Sequence, residues 1–474
     1  MSLYIYNSFS RKKELFVPIN SNQVKMYVCG PTVYGPPHVG HARSYTCFDV
    51  VNRYLQYLGY NVKYVQNITD VGHLVGDSDD GQDKILAQAT KENVDPYALA
   101  YKYENIYFEY MDKLGILRPT ISARATGFIP EMIEMVKNII DKGFAYVTEQ
   151  GNVYFSVRKF NEYGSLSGRK IENNLSGERI QVADDKEYPE DFALWKSAVG
   201  GHIMKWNSPW GWGYPGWHLE CSTLSKKFLG DTFDIHGGGL DNIFPHHESE
   251  IAQSVVANGK PFVNFFMHNN LVTVNGTKMG KSLGNFTTLE DLMNAFDPMV
   301  IRYFILQFHY RKPFDFSIDT IKVVESQYQK MSEVFSKIGT LAKMQTAEIV
   351  DESLLKVKTN FENAMNDDFN TPLATAEMLA FVKTASKIID KADENLAMQA
   401  YSLISMFSKV LGFTFKSQEV VEVAVQPAND DSEKLLALIG DIRDKLRGDK
   451  NYALSDYIRD ELKKIDITIN DKKI

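Results

Sequence analysis

The spacing of apolar residues changes along the chain, and this change predicts the order of its elements. Residues 26–28 form a short apolar run typical of a buried strand, and residues 61–70 form a second run that ends in a polar turn. Between them, apolar residues recur at helical spacing up to a glycine that suits a helix end: Tyr45, Phe48, Val51, Leu55, Leu58 and Gly59. The pattern therefore predicts a strand, a helix and a second strand, which is an α/β unit.

Three further changes of pattern follow. Helical patterns fill residues 84–115 and 129–142, and short strand-like runs with Gly, Ser and Asn turns replace them over residues 143–215. From Ile318 the chain is helical again. The amphipathic patterns of this last part cover residues 320–345, 353–393, 395–411 and 432–465. We predict an α/β sheet with an inserted domain, then an all-α bundle, a polar linker over residues 416–430 and a small helical pair.

Composition is that of an ordinary globular protein, with 44% hydrophobic and 24% charged residues. The 474 residues suffice for roughly three domains. A net charge of −8 argues against a protein whose whole surface binds nucleic acid, although it leaves room for a local basic groove.

The N-terminus lacks the apolar core of a signal peptide, and no stretch is long enough to cross a bilayer. We therefore expect a cytoplasmic protein without a membrane partner. The three cysteines, Cys29, Cys47 and Cys221, are far apart and odd in number. They do not form a disulfide framework, so we expect thiols that are buried or bind metal.

The first candidate site is the turn between the first strand and the following helix. Pro36 and Pro37 hold its entry extended, and His38 and His41 are three residues apart at the helix start, so both can face one spot. Gly40 between them permits close approach of a ligand. A helix N-terminus offers N–H groups to a phosphate, and two imidazoles add donors for a charged transition state. The alternative is a surface turn with two incidental histidines.

Potential zinc ligands occur in three separate pieces of the chain. Cys29 follows the first strand, Cys221 lies in GWHLEC, and FPHHESEIAQS predicts a helix that begins at its proline. In that helix His246 and Glu250 are four residues apart and share a face, which completes a set of two cysteines, one histidine and one glutamate. His247 is the rival ligand, rotated about 100° around the helix. The alternative is a buried cysteine and a solvated helix face.

Polar and glycine-rich strand ends suggest further ligand contacts. Asn67, Thr69 and Asp70 follow the second strand, where an open α/β sheet binds its ligands. The glycines of HGGG, residues 236–239, allow backbone to approach a nucleotide, and Asp241 is a candidate acceptor for a ribose hydroxyl. Turn chemistry without a ligand is the alternative for both.

A third candidate stretch, KMGKS, follows a strand-like run over residues 271–274. Lys278 and Lys281 lie among glycines in a predicted mobile loop. Such a loop can close over departing pyrophosphate and then open. An exposed basic hairpin is the alternative.

Together these pieces resemble the class I aminoacyl-tRNA synthetases, and specifically the cysteine–tRNA ligase family. The first family motif appears as HVGH at residues 38–41 and the second as KMGKS at residues 278–282. Further matches, in order, are MYVCGPTVY, NITD, DFALWK, PGWHLEC, HGGG, FPHHESEIAQS and MNDDFNTP. The resemblance covers nearly the whole chain.

The resemblance implies one zinc ion per chain, bound by Cys29, Cys221, His246 and Glu250, which favours His246 over His247. It implies that the zinc binds the thiolate of substrate cysteine. A thiol on zinc loses its proton, and the far less acidic hydroxyl of serine cannot match it. Selectivity of this kind needs no second, hydrolytic site.

The implied reaction has two steps. The carboxylate of cysteine attacks the α-phosphate of ATP, which is accompanied by Mg²⁺, and this gives cysteinyl-adenylate and pyrophosphate. The 2′-hydroxyl of the terminal adenosine of cysteine tRNA then attacks the adenylate and takes the cysteinyl group, and AMP leaves. His38 and His41 would stabilise the phosphate in flight, and Lys278 and Lys281 the leaving pyrophosphate. The residues predicted to bind ATP are Gly40, His41, Gly238, Asp241 and Lys281. Those predicted to line the cysteine pocket are Thr69, Trp217 and His236.

The resemblance also implies a division of the chain, which we expect to be a monomer. A Rossmann-like catalytic domain would occupy residues 1–120 and 216–265, around an inserted connective domain at residues 121–215. The remaining parts would be a stem-contact region with the KMGKS loop at 266–318, a helical bundle at 319–425 and an anticodon-contacting domain at 426–474. Tyr452 is a candidate to stack on a base, with a core tyrosine as the alternative.

The chain departs from the family pattern in three places. Gly280 replaces a serine, the stretch after NITD is longer than in the shortest family members, and the basic, Trp-containing tail of some relatives is absent.

Two rival functions remain open. One is a cysteine ligase with an amino-sugar acceptor, against which the helical half argues; the other is a non-catalytic RNA-binding paralogue, against which the intact histidines and lysines argue.

Overall fold

The computed structural model describes residues 2–74, 81–169, 185–198, 202–274, 277–278, 287–415 and 430–463. It divides into two compact units, Met1–Ser417 and Gln418–Ile474. The finer division into six parts stays a prediction.

The described strands and helices are numbered in chain order. The strands are Tyr4–Asn7 (β1), Lys12–Leu15 (β2), Gln23–Val28 (β3), Asn61–Ile68 (β4), Ile121–Arg124 (β5), Ala145–Val147 (β6), Val153–Phe155 (β7), Phe192–Ser197 (β8), Trp206–Ser208 (β9), Gly211–Pro215 (β10), Phe233–Gly239 (β11), Val263–Asn269 (β12), Val272–Val274 (β13), Thr277–Lys278 (β14) and Phe314–Phe316 (β15). The helices are Val39–Tyr57 (α1), Lys84–Glu92 (α2), Pro96–Lys113 (α3), Ile129–Asp141 (α4), Trp217–Leu229 (α5), Glu248–Asn258 (α6), Leu289–Ala295 (α7), Pro298–Leu306 (α8), Ile318–Leu341 (α9), Glu352–Asn366 (α10), Thr371–Lys391 (α11), Glu394–Leu411 (α12), Asp430–Gly448 (α13) and Tyr452–Lys463 (α14).

One five-stranded sheet is parallel and has the strand order β12-β11-β3-β4-β5. Its central strands β3, β4 and β11 are buried over most of their length, as expected for strands covered on both faces. Met26, Tyr27 and Val28 are fully buried, and the predicted strand–helix–strand unit is confirmed as β3, α1 and β4. The predicted helix end is also confirmed, because α1 ends before Gly59, which has a left-handed φ of 93°. The α/β fold class is therefore established.

Between β5 and β11 the chain forms a separate antiparallel sheet with the strand order β6-β7-β8-β10-β9. This confirms the short strands predicted for residues 143–215. Phe155 and Phe192 stack at its centre with ring centroids 4.9 Å apart, and Trp195 is fully buried. Trp212 in β10 is 58% exposed.

The helical part differs from prediction at one point. The continuous pattern over residues 353–393 is broken between α10 and α11, where Asp368 and Phe369 have left-handed φ values of 64° and 51°. The buried Asp368 carboxylate accepts hydrogen bonds from the Tyr6 backbone N–H at 2.8 Å and from the Tyr310 hydroxyl at 2.7 Å. It also pairs with Arg311 at 2.6 Å. The break therefore joins the bundle to the N-terminal hairpin.

A buried ion pair fixes α8 to α1. The Arg302 guanidinium pairs with Asp49 and also donates to the carbonyls of Leu411 and Leu114 at 2.6 and 2.9 Å.

In the second unit, Tyr452 is 53% exposed at the start of α14, which excludes the core alternative for this side chain. Among the described residues, no helix combines the length and apolar character needed to span a membrane.

Candidate active site and metal centre

The carboxyl ends of the central strands open on a cavity of about 340 Å³. Its walls include Cys29 after β3, Thr69 after β4, Gly239 at the end of β11 and Asn269 at the end of β12. This is where an open α/β sheet binds its ligands. The sheet therefore brings together residues that are more than two hundred positions apart in the sequence.

Two imidazoles cap the first helix at one side of this cavity. His38 Nδ1 accepts from the Gly40 backbone N–H at 3.0 Å, and His41 Nδ1 accepts from the His38 backbone N–H at 3.1 Å. Their ring centroids are 3.9 Å apart, so both rings face one region as predicted. Because each Nδ1 is an acceptor, the proton of each neutral ring lies on Nε2. The turn thus combines two ring N–H donors with a helix N-terminus.

The chain after the KMGKS motif returns to this turn. The Val39 backbone N–H donates to the Thr287 carbonyl at 3.4 Å, and the Leu289 N–H donates to the Pro37 carbonyl at 2.9 Å. Lys278 lies in the short strand β14, which pairs with β13. Lys281 and Gly280 lie outside the described residues, so their predicted roles stay predictions.

The four predicted zinc ligands converge. Cys29, Cys221, His246 and Glu250 each place one donor atom within 4.8 Å of the others. The two sulfur atoms are 3.8 Å apart, Cys29 Sγ is 3.8 Å from Glu250 Oε1, and His246 Nε2 is 3.1 Å from the same oxygen. Three of the four, Cys29, Cys221 and His246, also line the cavity. This donor set fits Zn²⁺, which prefers sulfur and nitrogen with an optional carboxylate.

Three of these donors, His246, Glu250 and Cys221, have a further partner that orients them. His246 Nδ1 lies 2.9 Å from His218 Nδ1, and Glu250 Oε2 lies 2.9 Å from His236 Nε2. On the cavity side, Cys221 Sγ lies 3.6 Å from Asn67 Oδ1. Metal ligands in proteins are held in this way by a surrounding layer of hydrogen bonds.

The rival histidine also reaches the cluster. His247 Nε2 is 3.2 Å from Cys29 Sγ, and a second donor set of Cys29, His236, His247 and Glu250 satisfies the same distance limit. The two sets differ in how many of their donors reach the cavity, because His236, His247 and Glu250 do not line it. Only the first set presents three of its donors to a ligand in the cavity.

Burial makes the neutral forms of the thiols and the carboxylic acid in this cluster more favourable. Burial raises the pKa of the Cys29 thiol well above its usual value, and burial raises the pKa of Cys221 to about 11. Burial also raises the pKa of Glu250, although the neighbouring His236 opposes that shift. A divalent metal reverses this preference, since it deprotonates a thiol that binds it. The cluster is therefore a set of buried donors whose ionised form a bound metal would stabilise.

The helix that supplies two of these donors begins later than predicted. Residues Ile243–His247 form a π-helical turn, and α6 begins only at Glu248. His246 therefore precedes the regular helix, whereas Glu250 lies within its first turn. The predicted placement of Pro245 in the first turn of a regular helix is wrong, but the four-residue spacing still brings both side chains to one side.

The predicted cysteine-pocket residues fall into two groups. Thr69 and Trp217 line the cavity, and Thr69 donates to Glu220 Oε2 at 2.7 Å. His236 is fully buried behind Glu250 and does not line the cavity. This geometry favours a role for His236 in orienting the carboxylate, in place of the predicted contact with substrate. Asp70 is likewise a structural residue, because its carboxylate accepts from the Thr126 backbone and hydroxyl at 2.9 and 2.6 Å.

Of the residues predicted to bind the nucleotide, some line the cavity and one does not. Gly40, His41 and Asp241 line the cavity, and Gly239 does so in place of the predicted Gly238. A Cβ on Gly238 would lie 2.8 Å from a ring carbon of His247, so this glycine makes room for the histidine. Gly30, beside the predicted ligand Cys29, is required for a comparable reason, since a Cβ on it would lie 1.6 Å from the Asn67 carbonyl oxygen.

Among the cavity residues that escaped sequence reasoning are Thr32, His73 and Lys84. Thr32 Oγ1 lies 2.6 Å from His73 Nδ1, and Lys84 Nζ lies 2.7 Å from His73 Nε2. His73 is a lone histidine in a Gly-rich loop, without any spacing that marks a site. The one available signal was its position soon after a strand that faces the ligand crevice.

Comparison with solved structures identifies the fold. The structure of Mycobacterium tuberculosis methionyl-tRNA synthetase in complex with methionyl-adenylate matches with a TM-score of 0.58 and 13% identity, covering 88% of this chain and 94% of that one. The family model described as tRNA synthetases class I (C) catalytic domain matches residues 15–326, and the DALR domain model matches residues 360–416. The fold and the site thus define a class I aminoacyl-tRNA synthetase.

Sequence relatives narrow this class to one family. A cysteine–tRNA ligase of Chlorobaculum tepidum is 48% identical over 100% of this chain and 98% of its own length. The cysteine–tRNA ligases of Bacteroides fragilis and Thermus thermophilus are 44% and 42% identical, over 99% and 100% of this chain and 97% and 98% of their own lengths. The chain belongs to the cysteine–tRNA ligase family and is a ligase.

Proposed function

We propose that this protein activates cysteine with ATP and transfers it to the 3′ end of a cysteine tRNA. The observation that carries the proposal is the convergence of Cys29, Cys221, His246 and Glu250 at the same cavity that holds His38 and His41. One end of the cavity thus suits a sulfur atom, and the other suits a phosphate.

At the sulfur end, the chain supplies the four donors of the first set. Zinc bound there would supply a soft Lewis acid that holds a thiolate in preference to a hydroxyl. Trp217 covers one side of the subsite with its ring, and Thr69 presents a hydroxyl held by Glu220. These groups orient a small amino acid and exclude water from its side chain.

At the phosphate end, His38 and His41 donate from Nε2 to the oxygens that gain charge when the cysteine carboxylate attacks the α-phosphate. Removal of one such preorganised donor typically slows a reaction by about 10²–10³-fold. Lys278 and Lys281 neutralise the leaving pyrophosphate, Mg²⁺ accompanies ATP, and Asp241 binds the nucleoside.

The tRNA contacts lie in the later part of the chain. We propose that residues 266–318 contact the acceptor stem, the helical bundle supports them, and the C-terminal unit contacts the anticodon, with the exposed Tyr452 as a stacking residue. Relatives of the same length that are named cysteine–tRNA ligases favour a tRNA acceptor over an amino sugar. The paired imidazoles and the complete donor cluster argue against a silent RNA-binding paralogue.

Two assays test the proposal. The purified protein with ATP and radiolabelled pyrophosphate should catalyse exchange that depends on cysteine and not on serine. It should then charge a cysteine tRNA transcript. Absence of cysteine-dependent exchange would contradict the adenylation step, and exchange without charging would contradict the tRNA acceptor.

A further inference from the structure

The indole of Trp217 is held between two imidazole rings. One is His246 of the donor cluster, with ring centroids 4.2 Å apart and an interplanar angle of 27°. The other is His73, with centroids 3.9 Å apart and an angle of 9°. Trp217 opens α5, and Cys221 follows one turn later in the same helix. The three rings therefore form a stack that ends on a ligand of the proposed zinc site.

His73 is itself fixed at both ring nitrogens. The Lys84 ammonium lies 2.7 Å from Nε2, and because an ammonium has only donors, Nε2 is the acceptor of this hydrogen bond. Nδ1 therefore carries the ring proton and donates to Thr32 Oγ1 at 2.6 Å. The ring cannot turn about its Cβ–Cγ bond without breaking both contacts.

The stack connects segments that the sequence keeps apart. Thr32 follows the ligand Cys29 after β3, and it pairs with Thr69 beyond the end of β4. Lys84 is the first residue of α2, whose cap Asp83 also accepts from the Gly72 backbone N–H at 2.7 Å. His73 thus lies where these segments meet, and it lines the same cavity as Trp217 and His246.

We propose that His73 is a positioning residue for the cysteine subsite, and that it braces Trp217 against the metal ligand His246. The inference rests on the proposed function, since it assigns His73 to the sulfur end of the cavity. An indole stacked on one face only can tilt away from its partner. A second stacked ring on the opposite face, fixed by two hydrogen bonds, removes that freedom. His73 therefore keeps the Trp217 wall and the His246 imidazole in their binding arrangement.

Replacement of His73 by alanine tests whether its ring positions Trp217. Loss of an aromatic contact of this kind should raise the KM for cysteine about threefold to tenfold and leave the KM for ATP within about twofold. It should also speed the release of zinc to a chelator by about threefold, because the covering indole is loosened. Equal changes in both KM values, or an unchanged KM for cysteine with unchanged zinc release, would overturn the inference.

Two further variants separate stacking from hydrogen bonding. His73→Phe keeps a flat ring against Trp217 and loses both polar contacts, so its KM for cysteine and its zinc release rate should lie between those of the unmodified protein and those of His73→Ala. His73→Asn keeps a donor near Thr32 but has no ring, so it should behave like His73→Ala. Rescue by asparagine and not by phenylalanine would overturn the proposal.

His202 offers a matched control. It stacks on Tyr214 with centroids 4.4 Å apart and an angle of 10°, but it does not line the cavity. His202→Ala should leave both KM values unchanged. Absence of cysteine-dependent exchange in the unmodified protein would contradict both the proposed function and the positioning role of His73. If the unmodified protein shows exchange and His73→Ala matches it in every measurement, only the positioning role of His73 is contradicted.

Discussion

Replacement of Cys221 by serine removes one of two sulfur atoms from the donor cluster and leaves the size of the side chain nearly unchanged. In the structure the Cys221 sulfur lies 3.8 Å from that of Cys29 and is only 1% exposed. A serine hydroxyl at this position stays protonated at neutral pH, so it is a poor ligand for zinc. The variant therefore tests the metal site without creating a large cavity.

The size of the effect follows from the place of Cys221 in the cluster. Loss of a residue that only orients a metal ligand costs about 10- to 100-fold in metal affinity, so loss of a ligand should cost at least about 100-fold. A hydrogen bond to a charged group contributes about 1.5–3 kcal/mol to stability or binding, and the contact between a substrate thiolate and a metal is at least as strong. The KM for cysteine should therefore rise at least about tenfold, while the KM for ATP changes less than about twofold.

The assays are zinc content after dialysis and ATP–pyrophosphate exchange over a range of cysteine concentrations. Cys47→Ser is the matched control, because Cys47 is also a buried thiol but belongs to neither donor set. It should retain zinc and cysteine dependence. An unchanged KM for cysteine in Cys221→Ser, or an equal loss in the Cys47 control, would refute the reasoning.

Four further variants test other parts of the account. His38→Asn keeps a good helix cap but removes the imidazole, so exchange should slow by about 10²–10³-fold with little change in melting temperature; a large fall in melting temperature would contradict it. Lys281→Ala should slow adenylate formation in rapid-quench experiments while cysteine affinity stays nearly intact, and equal loss of both would point to misfolding. Arg302→Met should lower the free energy of unfolding, measured with urea, by about 3 kcal/mol because Asp49 loses a buried partner; a change below about 1 kcal/mol would contradict this. Burial lowers the pKa of His309 to about 4 from its ordinary value of 6.5, so the unfolded chain takes up this proton first and stability is lost as the pH falls from 6.5 to 4. His309→Gln should reduce that fall in melting temperature, and an unaltered pH profile would contradict the assignment.

The sequence predicted those features that depend on local spacing. The strand, helix and strand around the HVGH turn follow from apolar periodicity and from Gly59. The predicted donor set of Cys29, Cys221, His246 and Glu250 follows from the residue types that bind zinc and from the four-residue spacing of its last two members. The helix break at Asp368 was missed, because the apolar pattern continues across it while the backbone turns left-handed. A buried carboxylate with partners in distant segments fixes that turn.

Residues whose roles depend on contacts between distant segments escaped prediction. The family resemblance implies that His236 contacts the substrate, but its Nε2 lies 2.9 Å from Glu250 Oε2. Gly238 was assigned to a nucleotide, but the space it leaves is filled by His247. His73 carried no motif at all, since its partners Thr32 and Trp217 come from other parts of the chain. Such contacts exist only after the sheet has brought the strand ends together.

The central claim is that a metal held by Cys29 and Cys221 binds the sulfur of the substrate, and zinc K-edge X-ray absorption tests it most directly. The account predicts sulfur scattering from two protein thiolates in the free protein, an additional sulfur neighbour when cysteine is added, and no change with serine. A zinc spectrum that is the same with cysteine, with serine and without either would contradict it.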